Sequence, residues 1–270
     1  MFSTTSQVLS SNKGSGLYVL PNLLSLDVQN KLLSCLLHRD LSNPEHKTNL
    51  HAHYNIPYPP EKGSFFRSSS YESPNPKPEF TPKDPSHHTP LSLEKALESK
   101  LRWMTLGGQY DWTLKAYPME EPPPFPPDIA ALIKSLFPDI EPEAAIVNVY
   151  HPHDTLGLHR DVSESSNRGL VSISFGLDCL FFIGLEDSVS GETRSHILRV
   201  KSGDAVIMSE EARFAWHGVP SIILGTCPSR IAGWPGEVCE DPELLENPPA
   251  KGWMENKRIN FSIRQMYEHP

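Results

Sequence analysis

The sequence predicts a mainly β fold with flanking helices, and three observations carry that expectation. From residue 144 onward, short β-rich runs follow one another between turn-rich connections, at 144–150, 170–175, 179–183, 196–200, 205–208, 219–224 and 258–267. That is the pattern of an all-β sandwich or barrel core. The last run, Lys257-Arg-Ile-Asn-Phe-Ser-Ile-Arg-Gln-Met-Tyr267, alternates apolar and polar residues as a half-buried strand does. Helical patterning is confined to short segments that precede the β-rich region.

Taken in order, residues 1–16 are rich in Ser and Thr, lack acids and hold Lys13 as their one base. They read as a disordered tail, with a mitochondrial transit peptide as the alternative, although such a peptide is usually richer in Arg. Residues 17–20 read as a short strand. A helix follows, with Ser25 as its N-cap and Val28, Leu32, Leu33, Leu36 and Leu37 as an apolar stripe that should brace a sheet. Residues 41–90 are rich in Pro, Ser, Lys and His and predict an extended or partly disordered loop. His51, His53, His87 and His88 within it read as surface histidines rather than metal ligands. A short helix at 91–100 leads into Leu101-Arg-Trp-Met-Thr-Leu106, and a second proline-rich stretch, 118–127, ends at Asp128 as the cap of a helix reaching Phe137. Residues 225–256, rich in prolines and acids, read as an insertion packed on the outside. The expected organisation is a tail at 1–16, a helical and proline-rich extension at 17–100 and a main domain at 101–270.

A chain of 270 residues can bury a sizeable core. Its apolar runs fall short of the roughly 18 to 20 residues needed to span a bilayer, so the expectation is a monomer in the nucleus and/or cytoplasm, without membrane contact. Cys35, Cys179, Cys227 and Cys239 show no Cys-x-x-Cys spacing and predict neither a zinc site nor a disulfide framework. The net charge of −9 is opposite to that of a protein gripping long duplexes through many phosphates. Any nucleic-acid contact must be local.

The chemistry concentrates in Asn148-Val-Tyr-His-Pro-His-Asp-Thr-Leu-Gly-Leu-His159-Arg-Asp161. In an extended segment, residues i and i+2 share a face, so the imidazole of His159 and the carboxylate of Asp161 converge. His217 supplies a third ligand. Two histidines and one carboxylate leave coordination positions open, the arrangement of non-haem Fe(II) oxygenases. A bare His-x-Asp is weak in a chain with 12 histidines and 33 acids, but Arg258 and Arg264 strengthen it. Lying at even spacing, they share one strand face with Asn260, and two inward guanidiniums call for a dicarboxylate ligand. Asn148 and Tyr150 add an amide and a phenol beside the ligands.

In this combination and order, the motifs resemble the AlkB-type Fe(II)/2-oxoglutarate dioxygenases, closest to their eukaryotic branch. The family's Asn-x-Tyr matches Asn148 and Tyr150. Its Leu-Gly-x-His-x-Asp matches Leu156 to Asp161, and Ser-x-Ser-Phe-Gly matches Ser172 to Gly176. Ser202 to Asp204, Arg213, His217 to Pro220 and Arg258 to Gln265 match the remaining segments. The resemblance covers about residues 101–267. It implies a double-stranded β-helix, or jelly roll, and a nucleotide-recognition lid at 101–127. It implies Fe(II) on His159, Asp161 and His217, and 2-oxoglutarate held by Asn148, Tyr150, Arg258, Asn260 and Arg264, with O2 as the other reagent. It further implies oxidation of methylated bases in DNA or RNA, tRNA included, presented single-stranded or flipped. An aromatic lid suits a flipped base, and Trp112, then Tyr117, are the candidates for stacking on it. Asp204 reads as a turn residue, Arg213 as a loop-fixing residue and Glu164 as an orderer of the ligand loop. Ser163 departs from members with an acid there, and Glu210 and Glu211 stand where a glycine is common. The alternatives are a hydroxylase or demethylase of basic, histone-like protein tails with the same iron centre, and a catalytically silent binding module.

Overall fold

A computed structural model of the chain describes residues 16–60, 63–68, 79–186, 191–235 and 252–269. The expected tail, apart from Gly16, lies outside the described residues, as do 69–78 of the proline-rich segment, 236–251 of the expected insertion, and Cys239.

Strand β1 (Leu17–Leu20) stops where Pro21 removes a donor. Ser25 then caps α1 (Leu26–Ser34), its hydroxyl accepting from the Val28 amide at 3.4 Å, and a wider helical turn continues over Cys35–Asp40. Three short strands follow, β2 (Tyr54–Asn55), β3 (Glu79–Pro82) and β4 (Leu91–Ser92), with α2 (Phe65–Ser68) between the first two. The rest of the chain forms α3 (Leu93–Lys95), β5 (Trp103–Gly107), α4 (Pro127–Leu136), β6 (Ala144–Tyr150), β7 (Leu156–His159), β8 (Leu170–Gly176) and β9 (Asp178–Glu186). Next come β10 (Thr193–Val200), β11 (Ala205–Met208), β12 (Trp216–Ile223), α5 (Ser229–Ala232) and β13 (Arg258–Arg264).

The strands form a six-stranded sheet in the order β1-β11-β8-β13-β6-β5 and a four-stranded sheet in the order β10-β9-β12-β7, antiparallel at every pairing. Alternation gives the large sheet two unlike faces. Val147, Val149, Val171, Ile173, Phe175, Ile259, Phe261 and Ile263 join one apolar cluster with Leu33, Leu36 and Leu37 of the N-terminal helix and Ile129 and Ile133 of α4. The opposite face carries Tyr150, Leu170 and Met208 into a second cluster with Phe181, Ile183 and Val219 of the small sheet. Helices, large sheet and small sheet thus stack as the jelly-roll layers that the motif resemblance implies. The stripe of α1 braces the sheet as expected, and the stretch before residue 100 packs into the same core.

Three local expectations are corrected. Asp128 does not cap α4: Pro126 does, with Pro127 in the first helical position, where a missing N–H costs nothing. Asp128 sits in the first turn, its charge favourable to the helix dipole, and accepts from Arg39 Nη1 at 2.7 Å. His51 is no free surface histidine. It completes a capping box with Thr48 and meets the Tyr58 hydroxyl at 2.9 Å through Nε2.

The third correction concerns 225–256, whose described parts send Ile231, Trp234, Trp253 and Met254 into the core. Trp234 is wholly buried and meets Phe66 edge-on at 4.9 Å, with Trp253 at 6.0 Å. Proline and acid content hid two core tryptophans. Trp234→Ala is expected to destabilise the fold by about 3–5 kcal/mol, the cost of a large aromatic cavity. Urea unfolding checks it, and a loss below about 1 kcal/mol would return the segment to the exterior.

Candidate active site

The polar face that three neighbouring strands, β6, β13 and β8, share looks onto the small sheet. Strand β13 runs between β6 and β8, placing Arg258 beside Tyr150 and Asn260 between Asn148 and Ser174. Asn148, Tyr150, Ser172, Arg258, Asn260, Ser262 and Arg264 therefore line one cavity of about 500 Å³ together with His159, Asp161 and His217. Residues two to six positions apart along a strand become one wall because alternate side chains share a side.

His159 ends β7, and Asp161 follows it outside the strand, yet His159 still converges with His217 because the two are paired across β7 and β12. The ligand atoms of the three residues all lie within 4.8 Å of one another. His159 Nε2 stands 3.8 Å from one Asp161 oxygen and His217 Nε2 4.0 Å from the other. Each imidazole turns its Nδ1 to a backbone carbonyl, of Gly157 and Ala215 respectively, at 3.0 Å. A carbonyl only accepts, so Nδ1 carries the proton and both Nε2 lone pairs face the shared centre. Burial lowers the His217 pKa against the pull of Asp161, which keeps the ring neutral as a ligand must be. For Asp161, burial pushes upward, but Arg264, His217 and His159 outweigh it and hold the carboxyl below its usual range.

The ligand loop is clamped from beneath. Arg213, buried, donates to the Asp161 carbonyl, to Arg168 O at 3.1 Å and to Glu164 at 2.8 Å. Glu164, equally buried, also pairs with Arg264 at 3.4 Å. Arg264 reaches Asp161 Oδ2 at 3.0 Å. Asp204 accepts from the Asn22 and Lys201 amides, each at 2.8 Å, which makes it a turn residue. Glu210 has φ +49°, so the position where a glycine was the expected residue does need the left-handed region.

Arg258 differs from Arg264. Its Nη2 donates to Ser174 Oγ at 3.0 Å and its guanidinium lies 4.9 Å over the Tyr150 ring. Its Nε and Nη1, though buried, have no hydrogen-bond partner. Buried orphan donors on a cation are costly unless an anion completes them. Burial, eased by Arg258, pushes the Tyr150 phenol up to about 12 and keeps it a neutral donor.

The two lid candidates separate. Trp112 lines the cavity, stacked on Trp103 at 3.6 Å with Tyr110 edge-on at 4.9 Å. Tyr117 does not line it. Its hydroxyl instead donates to Glu164 at 3.1 Å and stands 3.5 Å from Arg264 Nη1, because the lid doubles back beneath the ligand loop. Tyr110, a lining aromatic not singled out for stacking, stands two positions before Trp112, a spacing that could have marked it. Ser163 donates to the Lys115 carbonyl at 3.2 Å and so ties the lid to the ligand loop.

A sequence model of the 2OG-Fe(II) oxygenase superfamily matches residues 16–264. The chain belongs to that superfamily. Within it the chain is AlkB-like. It is 47% identical over 94% of its length to "N6-methyladenosine RNA demethylase ALKB1" of Pyricularia oryzae, covering 75% of that protein. It is 36% identical over 96% of its length to "tRNA demethylase abh1" of Schizosaccharomyces pombe, covering 82% of that protein. The solved structure of OsALKBH1 aligns over 93% of this chain and 97% of its own with a TM-score of 0.55 at 17% identity, a likeness of fold. This oxygenase is thus a dioxygenase using Fe(II), 2-oxoglutarate and O2. The residues present fit these reagents: three converging ligands suit the metal, and the orphaned donors of Arg258 suit a carboxylate. Among the described residues no helix is long and apolar enough to cross a membrane.

Proposed function

We propose that this oxygenase removes methyl groups from nucleobases in nucleic acid, with N-methylated adenine in RNA as the first substrate to test. The observation that carries the reading is a cavity lined by His159, Asp161 and His217 and also by the aromatics Tyr110 and Trp112. Aromatic faces beside an enclosed metal suit a base taken out of its stack. The names of the two curated relatives support the same class of substrate.

In this reading His159, Asp161 and His217 hold the iron. Arg264, which already touches Asp161, and Arg258, beside Tyr150, would hold the two carboxylates of 2-oxoglutarate, with Asn148 also lining that cavity. Bound there, the iron with 2-oxoglutarate would supply O2 activation, one oxygen atom ending in succinate as CO2 is lost and the other inserted into a methyl C–H bond. An N-hydroxymethyl product then loses formaldehyde and returns the free base. The protein's share is position: Asn260 is fixed by the Ser172 hydroxyl at 2.6 Å, and Trp103 backs Trp112 so that the lid presents a set face.

Tyr117 acts from behind. Tyr117→Phe removes the hydroxyl between Glu164 and Arg264 and is expected to raise KM for 2-oxoglutarate about fivefold, the worth of one hydrogen bond, with little change in kcat. Initial rates of succinate formation read the split, and an unchanged KM would detach Tyr117 from the arginine.

Mass spectrometry tests the function directly. N6-methyladenosine RNA, methylated tRNA, methylated DNA and methylated basic peptides are each incubated with Fe(II), 2-oxoglutarate and ascorbate. Loss of a base methyl is the expected result. Succinate formation with every nucleic acid intact and a peptide oxidised would move the substrate to basic protein tails, which the net charge of −9 would attract.

A further inference from the structure

The strands that carry the two histidines bear, on their reverse side, a surface that the iron chemistry leaves unused. His217 stands opposite His159 in the β12–β7 pairing, so its chain neighbour Trp216 is turned away from the metal, while Leu158 and Arg160, which flank His159, sit at the cavity's edge. Trp216 is 50% exposed and Leu158 58%, with Phe214 at 36% beside them. Arg160 lies 6.0 Å from the centre of the Trp216 ring, and its Nε donates to the Phe214 carbonyl at 2.7 Å. Among the described residues its terminal nitrogens donate no hydrogen bond and pair with no carboxylate. Leu158 and Arg160 also line the catalytic cavity, so the patch runs from inside the mouth over its lip.

An exposed indole beside an unpaired guanidinium is a costly surface in water and a suitable one for a nucleotide. A base stacks on the ring, and the cation meets the phosphate. The chain's net charge of −9 repels a polyanion at long range, so a strand needs such local cations where it touches. A strand whose base enters the cavity must also leave it across the lip.

We propose that Trp216 and Arg160 receive the single-stranded nucleic acid flanking the target base, with a neighbouring base on Trp216 and its phosphate on Arg160. The proposal rests on the nucleic-acid reading above and adds a strand track to it.

The test is fluorescence anisotropy of a labelled single-stranded RNA carrying one N6-methyladenosine, bound to the full chain with 2-oxoglutarate and catalytically inert Mn(II). Trp216→Ala is expected to weaken binding about tenfold, within the range for one stacked base, and Trp216→Phe to restore most of it. Arg160→Ala is expected to lower the slope of log affinity against log salt by about one. Melting temperature, and its rise on adding Mn(II) and 2-oxoglutarate, should be the same in Trp216→Ala as in the parent, which separates a lost contact from a lost fold. If Trp216→Ala binds the RNA as the parent does, the track is wrong, whatever base the enzyme oxidises, and the face is left to a protein partner. If the parent neither binds the RNA nor removes a methyl from any nucleic acid, the nucleic-acid reading itself fails.

Discussion

Arg258→Met is expected to make the free protein more stable while crippling its use of 2-oxoglutarate. In the structure this guanidinium is buried with two unpartnered nitrogens, a state that costs about 1–3 kcal/mol without an anion to complete it. Methionine fills much of the same volume with no charge. Melting without ligand should therefore rise. The same change removes the buried partner of a carboxylate, a loss of about 2–5 kcal/mol in binding, or a KM raised by at least about 30-fold. Excess 2-oxoglutarate with Mn(II) stabilises the parent by about 2.7 kcal/mol at a hundred times its Kd and should hardly move the variant. Calorimetric melts with and without the pair separate the two effects. A variant less stable when free and still stabilised by 2-oxoglutarate would make Arg258 a structural residue.

Replacing His217 by Ala is expected to abolish turnover altogether. His217 is the most enclosed ligand of the three, on a paired strand, with its ring set by the Ala215 carbonyl. Loss of outer partners of a metal ligand already costs about 10- to 100-fold, so loss of the ligand itself should leave less than about 1% of succinate formation. Iron content after desalting should fall with it. Retained iron and activity would mean that the cluster of His159, Asp161 and His217 is not the metal centre.

Much of this site was legible before any fold was known. Arg258, Asn260 and Arg264 stand at even spacing in one strand, so the period of two predicts one shared face, and the β13 register shows that face turned inward. His159 and Asp161 were legible as a His-x-Asp pair, but the strand period used to bring them together does not reach Asp161, which lies beyond β7. Tyr117 was misplaced because aromatic character in a lid does not say which way the lid folds. Trp234 was missed because prolines and acids describe a segment's average, whereas burial is decided residue by residue.

Periodicity by itself determined the β-rich core and the polar face of β13, because alternation along a strand is a local rule, and residue type and motif order marked His159, Asp161 and His217 as candidate ligands. Only the tertiary structure decided that Arg264 meets Asp161 while Arg258 keeps two buried nitrogens without a partner, and that Glu164 and Arg213 clamp the ligand loop. It alone brought Trp216 and Arg160 together on an exposed lip. Those facts depend on which strands pair and which loops cross, and pairing joins residues far apart in sequence that no local pattern can relate.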